Sequence, residues 1–189
     1  MNTSPETLAA EFKALIDTAG LPGLDLQPRP QVESPESLLP RVHQFCQTHR
    51  LTGTSTALLR GIALLWHDQE PEAHTIAQDI HDREGSWLHA IIHRREPDYS
   101  NARYWFHQVG QHPAYAYLAE SMSAILPQST ADHLAQKLLP GGKWSASGFV
   151  DLCQVALRNR QDTQTIALCQ QIQAAEFAAL IRHIIEARR

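Results

Sequence analysis

The 189-residue chain predicts an all-α fold, on three observations. Apolar residues recur at the three- and four-residue spacing of a helix face through most of the chain. Proline, glycine and small polar residues punctuate these stretches at regular intervals, as helix starts and stops do. No segment alternates apolar and polar residues between turn signals, the pattern of a half-buried strand. With 43% hydrophobic and 19% charged residues, the chain is suited to one domain with its own core.

Leu8, Phe12, Leu15 and Ile16 define an amphipathic helix over residues 5–19, stopped by Gly20. Residues 21–40 hold Pro22, Pro28, Pro30, Pro35 and Pro40. Because proline donates no backbone hydrogen bond, this stretch reads as a linker wrapped over the surface. Residues 1–20 are then a docked helix or an arm, and residues 41–189 the helical domain. That domain opens with a short helix over 41–49 and an apolar one over 55–66. The turn Asp68 to Pro71 follows, Pro71 suiting the first turn of a helix that runs to His81. Gly85 separates the next helix, 86–95. Pro97-Asp98 restarts the chain, with Asp98 as N-cap and Asn101 at the third helical position. Gly110 and Pro113 close that helix and open another, 114–126. Ser129 or Thr130 caps a helix to Leu138, Pro140-Gly141-Gly142 breaks it, and helices over 146–158 and 163–187 complete about seven to nine in all.

Two segments look like copies of one unit. Glu70-Pro71-Glu72 precedes Ala73, Ile76 and Ala77, and Glu96-Pro97-Asp98 precedes Ala102, Trp105 and Phe106. The run Ala102 to Phe106, with Gly110, Ala116 and Leu118, resembles the Sel1-like branch of the tetratricopeptide repeats. That likeness implies stacked antiparallel hairpins, each burying its apolar face on the next. A second block, His93-Arg94-Arg95-Glu96-Pro97-Asp98-Tyr99 with Tyr104-Trp105-Phe106, resembles a family of uncharacterised helical proteins of bacteria and fungi. So do Phe149-Val150-Asp151-Leu152-Cys153, Gln173 and Glu176, the likeness covering residues 57–189. It implies a helical fold and no particular reaction.

The net charge of −4 comes with scattered basic residues, so no nucleic-acid footprint is expected. No apolar run has the length of a membrane span, and no basic-then-apolar leader opens the sequence. Cys46, Cys153 and Cys169 form no CxxC pair and read as free thiols of a reducing compartment, so the cytoplasm is the expected location.

The density of chemistry is highest at 86–112. His89 and His93 stand four apart and so share one helix face, a spacing found among metal ligands. Projected on a helical wheel, Trp87, Leu88, Ile91 and Ile92 form the buried stripe and the two histidines lie on the opposite flank. Ala90 stands where a zincin helix would carry its glutamate. A third ligand would come from His67, His107, Glu96 or Glu176. No cofactor is expected beyond the divalent metal this spacing allows. His74 and His81 share a flank of the preceding helix, and seven of the eleven histidines fall between 67 and 112. That distribution suggests an imidazole-lined cleft between hairpins.

Arg94, Arg95 and Arg103 bracket the turn at Glu96-Pro97-Asp98, where guanidinium forks can hold a carboxylate or phosphate. Tyr104 and His107 project with Arg103 from a polar face. Arg95 falls on the apolar side of its helix and must be paired, so it and Glu96 are expected to be partly buried, with Glu176 or Asp151 the expected carboxylate. Two functions compete. One is an interaction module whose groove between hairpins takes a protein or peptide. The other is a small-molecule site or enzyme for an anionic ligand, with or without a metal, built from His89, His93, Arg94, Arg95, Arg103, Tyr104 and His107. Convergence of these side chains in one pocket favours the second; dispersal favours the first.

Overall fold

A computed structural model describes residues 3–27, 29–126 and 131–187. Among these residues are ten α-helices and no strand: α1 (Pro5–Leu15), α2 (Pro35–Thr48), α3 (Gly53–Trp66), α4 (Glu70–Gln78), α5 (Arg83–Arg95), α6 (Tyr99–Val109), α7 (Tyr115–Ile125), α8 (Ala131–Leu138), α9 (Ala146–Arg158) and α10 (Thr163–Ala187). The protein is all-α. A 3₁₀ turn at Pro140–Gly142 joins α8 to α9.

Small polar residues fix the starts. Asp98 accepts from the Asn101 amide at 3.2 Å, as the sequence indicates, and Ser4, Asp82 and Ser145 cap α1, α5 and α9 in the same way. Each cap satisfies an amide that the first helical turn leaves unpaired. The expected cap at Ser129 or Thr130 lies outside the described residues.

Several boundaries differ from the sequence reading. The irregular segment ends at residue 34 rather than 40, because α2 begins at Pro35 and runs through Pro40. Proline in a first turn costs nothing, since that amide has no intrahelical partner. At Pro40 a helical bond is lost, and burial of Leu38, Val42, Phe45 and Cys46 holds the helix together across it. α1 ends at Leu15 and α4 at Gln78, each short of its expected length. Gly85, expected as a separator, lies inside the first turn of α5. A Cβ there would stand 2.3 Å from the Ile80 carbonyl oxygen. Gly85→Ala is therefore expected to cost about 1–3 kcal/mol through forced backbone displacement. A urea midpoint equal to that of the parent would contradict this.

Helices α2 to α6 pack each on the next, and α10 runs against α1, α3, α7 and α9. α5 lies between α3, α4 and α6, so every residue from Glu84 to Arg95 is buried. α1 is docked through Leu8, Phe12 and Ile16. The strap after it is pinned by side chains that use its carbonyl groups. Gln173 donates to the Pro22 and Gly23 oxygens at 3.2 and 2.9 Å, and Arg95 to the Asp25 oxygen at 3.3 Å. Arg29, from the strap itself, meets Asp68 at 2.8 Å and also bonds the Trp66 carbonyl. All three cysteines are free and buried. No helix among the described residues is long and apolar enough to cross a membrane.

Candidate metal centre

α4 and α5 lie side by side and bring five ionisable groups together. Glu70 and His74 stand one turn apart on α4; His89 and His93 stand one turn apart on α5, with Glu96 just past its end. One ring nitrogen from each of His74, His89 and His93 lies within 4.8 Å of the others, and Glu70, His74 and Glu96 form an overlapping group of the same size. His74 Nε2 and His89 Nε2 face each other at 2.7 Å. The His89 ring is stacked between Trp105 and His93, with centroids 4.1 and 4.9 Å away. Among the described residues its buried Nδ1 has no hydrogen-bond partner.

The outer edges of the other two rings meet carboxylates. His93 Nδ1 lies 2.6 Å from Glu96 Oε2, and its Nε2 lies 3.1 Å from the Asn101 amide nitrogen. His74 Nδ1 is 4.0 Å from Glu70. Burial, then repulsion from His74 and His93, lowers the His89 pKa to about 4, so its imidazole is neutral at pH 7. Burial, then the hydrogen-bonded Glu96, raises Glu70 to about 7. Burial works the same way on Glu96, but bonds from Glu70 and His93 outweigh it and leave that carboxyl below its usual range. The two acids titrate as a pair, with the proton favoured on Glu70. A neutral imidazole such as His89 offers the lone pair that a divalent cation requires of a ligand.

The seven residues singled out in the sequence do not converge. His89 and His93 meet, and they are buried rather than on a free flank, because α5 is enclosed on every side. Arg94 turns the other way and pairs with Glu176 at 2.5 Å. Arg95, expected to be partly buried, has no exposed surface, and its carboxylate is Asp68 at 2.6 Å rather than Glu176 or Asp151. Asp151 instead takes Arg103, also at 2.5 Å, on a half-exposed face. Glu96 is partly buried and serves His93 rather than an arginine. Tyr104 is 56% exposed and stands outside the cluster. His107 and Arg103 line a separate cleft of about 440 Å³ between α6 and the start of α9, with Trp144 in its wall. Of the suggested third ligands, only Glu96 belongs to the cluster; His67 is buried elsewhere, accepting from the Glu33 amide.

Sequence reasoning missed His74 and Glu70 as members of the site. The available signal was their own four-residue spacing, which repeats on α4 the pairing of His89 with His93 on α5.

No protein-family model, no curated protein and no solved structure matches this chain. The cluster is therefore read on its own geometry.

Proposed function

We propose that this protein binds a divalent transition metal through the imidazoles of His74, His89 and His93. The Glu96 carboxylate accepts the outer ring proton of His93 and orients that ligand, and Glu70 stands 4.0 Å from the outer nitrogen of His74. The observation that carries the reading is the meeting of three imidazoles from two helices within 4.8 Å. Tetrahedral zinc–nitrogen bonds of about 2.0–2.1 Å place two ligand atoms about 3.3 Å apart. The His74–His89 contact of 2.7 Å thus has to open by about half an ångström on loading. His74, whose side chain is about a third exposed, is the ligand free to move.

Three nitrogen ligands leave a position for water, the arrangement of catalytic rather than structural zinc. A metal held by His74, His89 and His93 would supply Lewis-acid chemistry at this position. The anionic-ligand reading loses support, because Arg94, Arg95 and Arg103 are occupied by ion pairs. The peptide-groove reading gains no comparable observation. The successive packing of α3 to α6 supports the stacked-hairpin likeness, which here acts as the scaffold that sets α4 against α5. Three free buried cysteines favour the cytoplasm as the place where this chemistry runs.

Titration of metal-stripped protein with Co²⁺ tests the reading. Visible absorption bands of a nitrogen-ligated site are expected to saturate at one equivalent. His74→Ala should abolish them with the fold intact, and Glu96→Gln should weaken affinity about 10–100-fold. Saturation of the same bands in His74→Ala would overturn the assignment.

A further inference from the structure

A second ionisable cluster stands at the other end of α5, nine residues from His93 and about 13 Å along the helix axis. Glu84, His112 and His183 come from α5, the loop before α7 and α10, and their ligand atoms lie within 4.8 Å of one another. The geometry points to a ligand site: we infer that Glu84 and His112 orient His183, whose Nδ1 accepts a hydrogen bond from a hydroxylated small molecule bound in the adjoining cleft.

The hydrogen-bond chain sets the tautomers. The Ala114 amide donates to His112 Nδ1 at 3.2 Å, so that nitrogen carries a lone pair and the proton of neutral His112 sits on Nε2. His112 Nε2 faces Glu84 Oε1 at 3.6 Å, and His183 Nε2 faces the same oxygen at 2.9 Å. The carboxylate therefore accepts from His183, and His112 stands just beyond hydrogen-bond distance of the same oxygen. A metal would need the Nε2 lone pair of His112 and would push its proton onto Nδ1, against the Ala114 N–H, so the cluster is ill suited to a cation. His112, then His183, hold the Glu84 carboxyl down at about 2 against its burial, so it is ionised at any working pH.

With Nε2–H given to Glu84, the basic lone pair of neutral His183 is on Nδ1. Among the described residues nothing bonds that atom, and it is not one of the buried unpartnered atoms. His183 also lines a cleft of about 330 Å³, walled by His81, Asp82, Arg83, Ser86 and Gln108 as well as the cluster. Arg83 is committed to the Val109 and Gln111 carbonyl groups, and Asp82 to the Gly85 amide. What the described lining residues leave for a ligand is a polar, hydrogen-bonding wall whose arginine is already committed to carbonyl groups, which suits a neutral polyol or sugar. The ligand hydroxyl donates a hydrogen bond to the His183 Nδ1 lone pair, and the polarised ring is met on its Nε2–H side by Glu84. This site is independent of the metal reading and stands or falls without it.

Two measurements on the full chain test it. Nitrogen-15 NMR of histidine-labelled protein should show neutral His183 as the Nε2–H tautomer in the parent and a mixture of tautomers in Glu84→Leu. Carbethoxylation by diethyl pyrocarbonate, read by peptide mass spectrometry, should modify His183 about fivefold faster than exposed His107, and in Glu84→Gln no faster than His107. Methyl glucoside should protect His183 and leave His107 unprotected. A Nδ1–H tautomer, equal reactivity of the two histidines in the parent, or no protection would each overturn the assignment.

Discussion

Replacing Glu176 with alanine is expected to destabilise the protein by about 3–5 kcal/mol, the cost of leaving a buried guanidinium without its counter-charge. Glu176 has no exposed surface. It accepts from Arg94 Nη1 at 3.2 Å and Nη2 at 2.5 Å, and from Trp87 Nε1 at 3.2 Å. Gln173 adds one more acceptor for Arg94 at 3.2 Å. Removing the carboxylate strands the arginine between the rings of Phe149 and Phe106, which interact with the cation but accept no proton. The Trp87 N–H loses its acceptor at the same time. The double variant Arg94→Met/Glu176→Leu should recover most of the loss, since apolar replacement of a whole buried pair is often neutral. Equilibrium denaturation of the two variants separates a specific ionic cost from simple truncation. A loss below about 1 kcal/mol for Glu176→Ala would show that water reaches Arg94.

Arg95→Ala comes next, with an expected loss of about 3 kcal/mol for breaking a buried pair. Its guanidinium donates to the Leu65 carbonyl at 2.5 Å and to Asp68 at 2.6 Å, and reaches the Asp25 carbonyl at 3.3 Å. One side chain thereby ties α5 to the α3–α4 turn and to the strap. Asp68 itself is held at φ 59°, a left-handed conformation that aspartate tolerates better than most residues. Arg29 shares its carboxylate, so the loss should be smaller than for Glu176 and strongly non-additive with Arg29→Ala. A double-mutant cycle measures that coupling. Additive losses would mean that the two arginines act on Asp68 independently.

The helices from α3 to α7 and α9 to α10 are legible in the sequence from their apolar spacing and punctuation, although α4 ends before its expected stop and α5 begins before Gly85. The start of α2 was hidden by Pro40, a residue whose local preference is overruled by burial on both sides of it. Burial of Arg95 follows from helix phase. Its partner does not, because the choice of Asp68 depends on a turn conformation twenty-seven residues earlier. The candidate site shows the sharper limit. A helical wheel separates faces of a helix with one buried side, and α5 has none exposed, so His89 and His93 appeared as a free flank when they are the inner wall against α4. Glu70 and His74 join them only through the pairing of two helices, a tertiary fact that periodicity does not encode.

The strap and its acceptors bear on how the chain reaches this state. Gln173 grips carbonyl groups 150 and 151 positions earlier, and Arg182 meets Glu6 across 176. Closing loops of that length is a slow entropic step that local helix formation does nothing to hasten. α3 to α6 can assemble from neighbouring contacts, but Arg94 and Gln173 find their partners only once α10 has arrived. On a translating ribosome α1 would meet α2 early and the strap would meet Trp66, Asp68 and Arg95 midway, while the bonds to Gln173 and Arg182 would wait for α10. Of these ten helices the one made last seals the first.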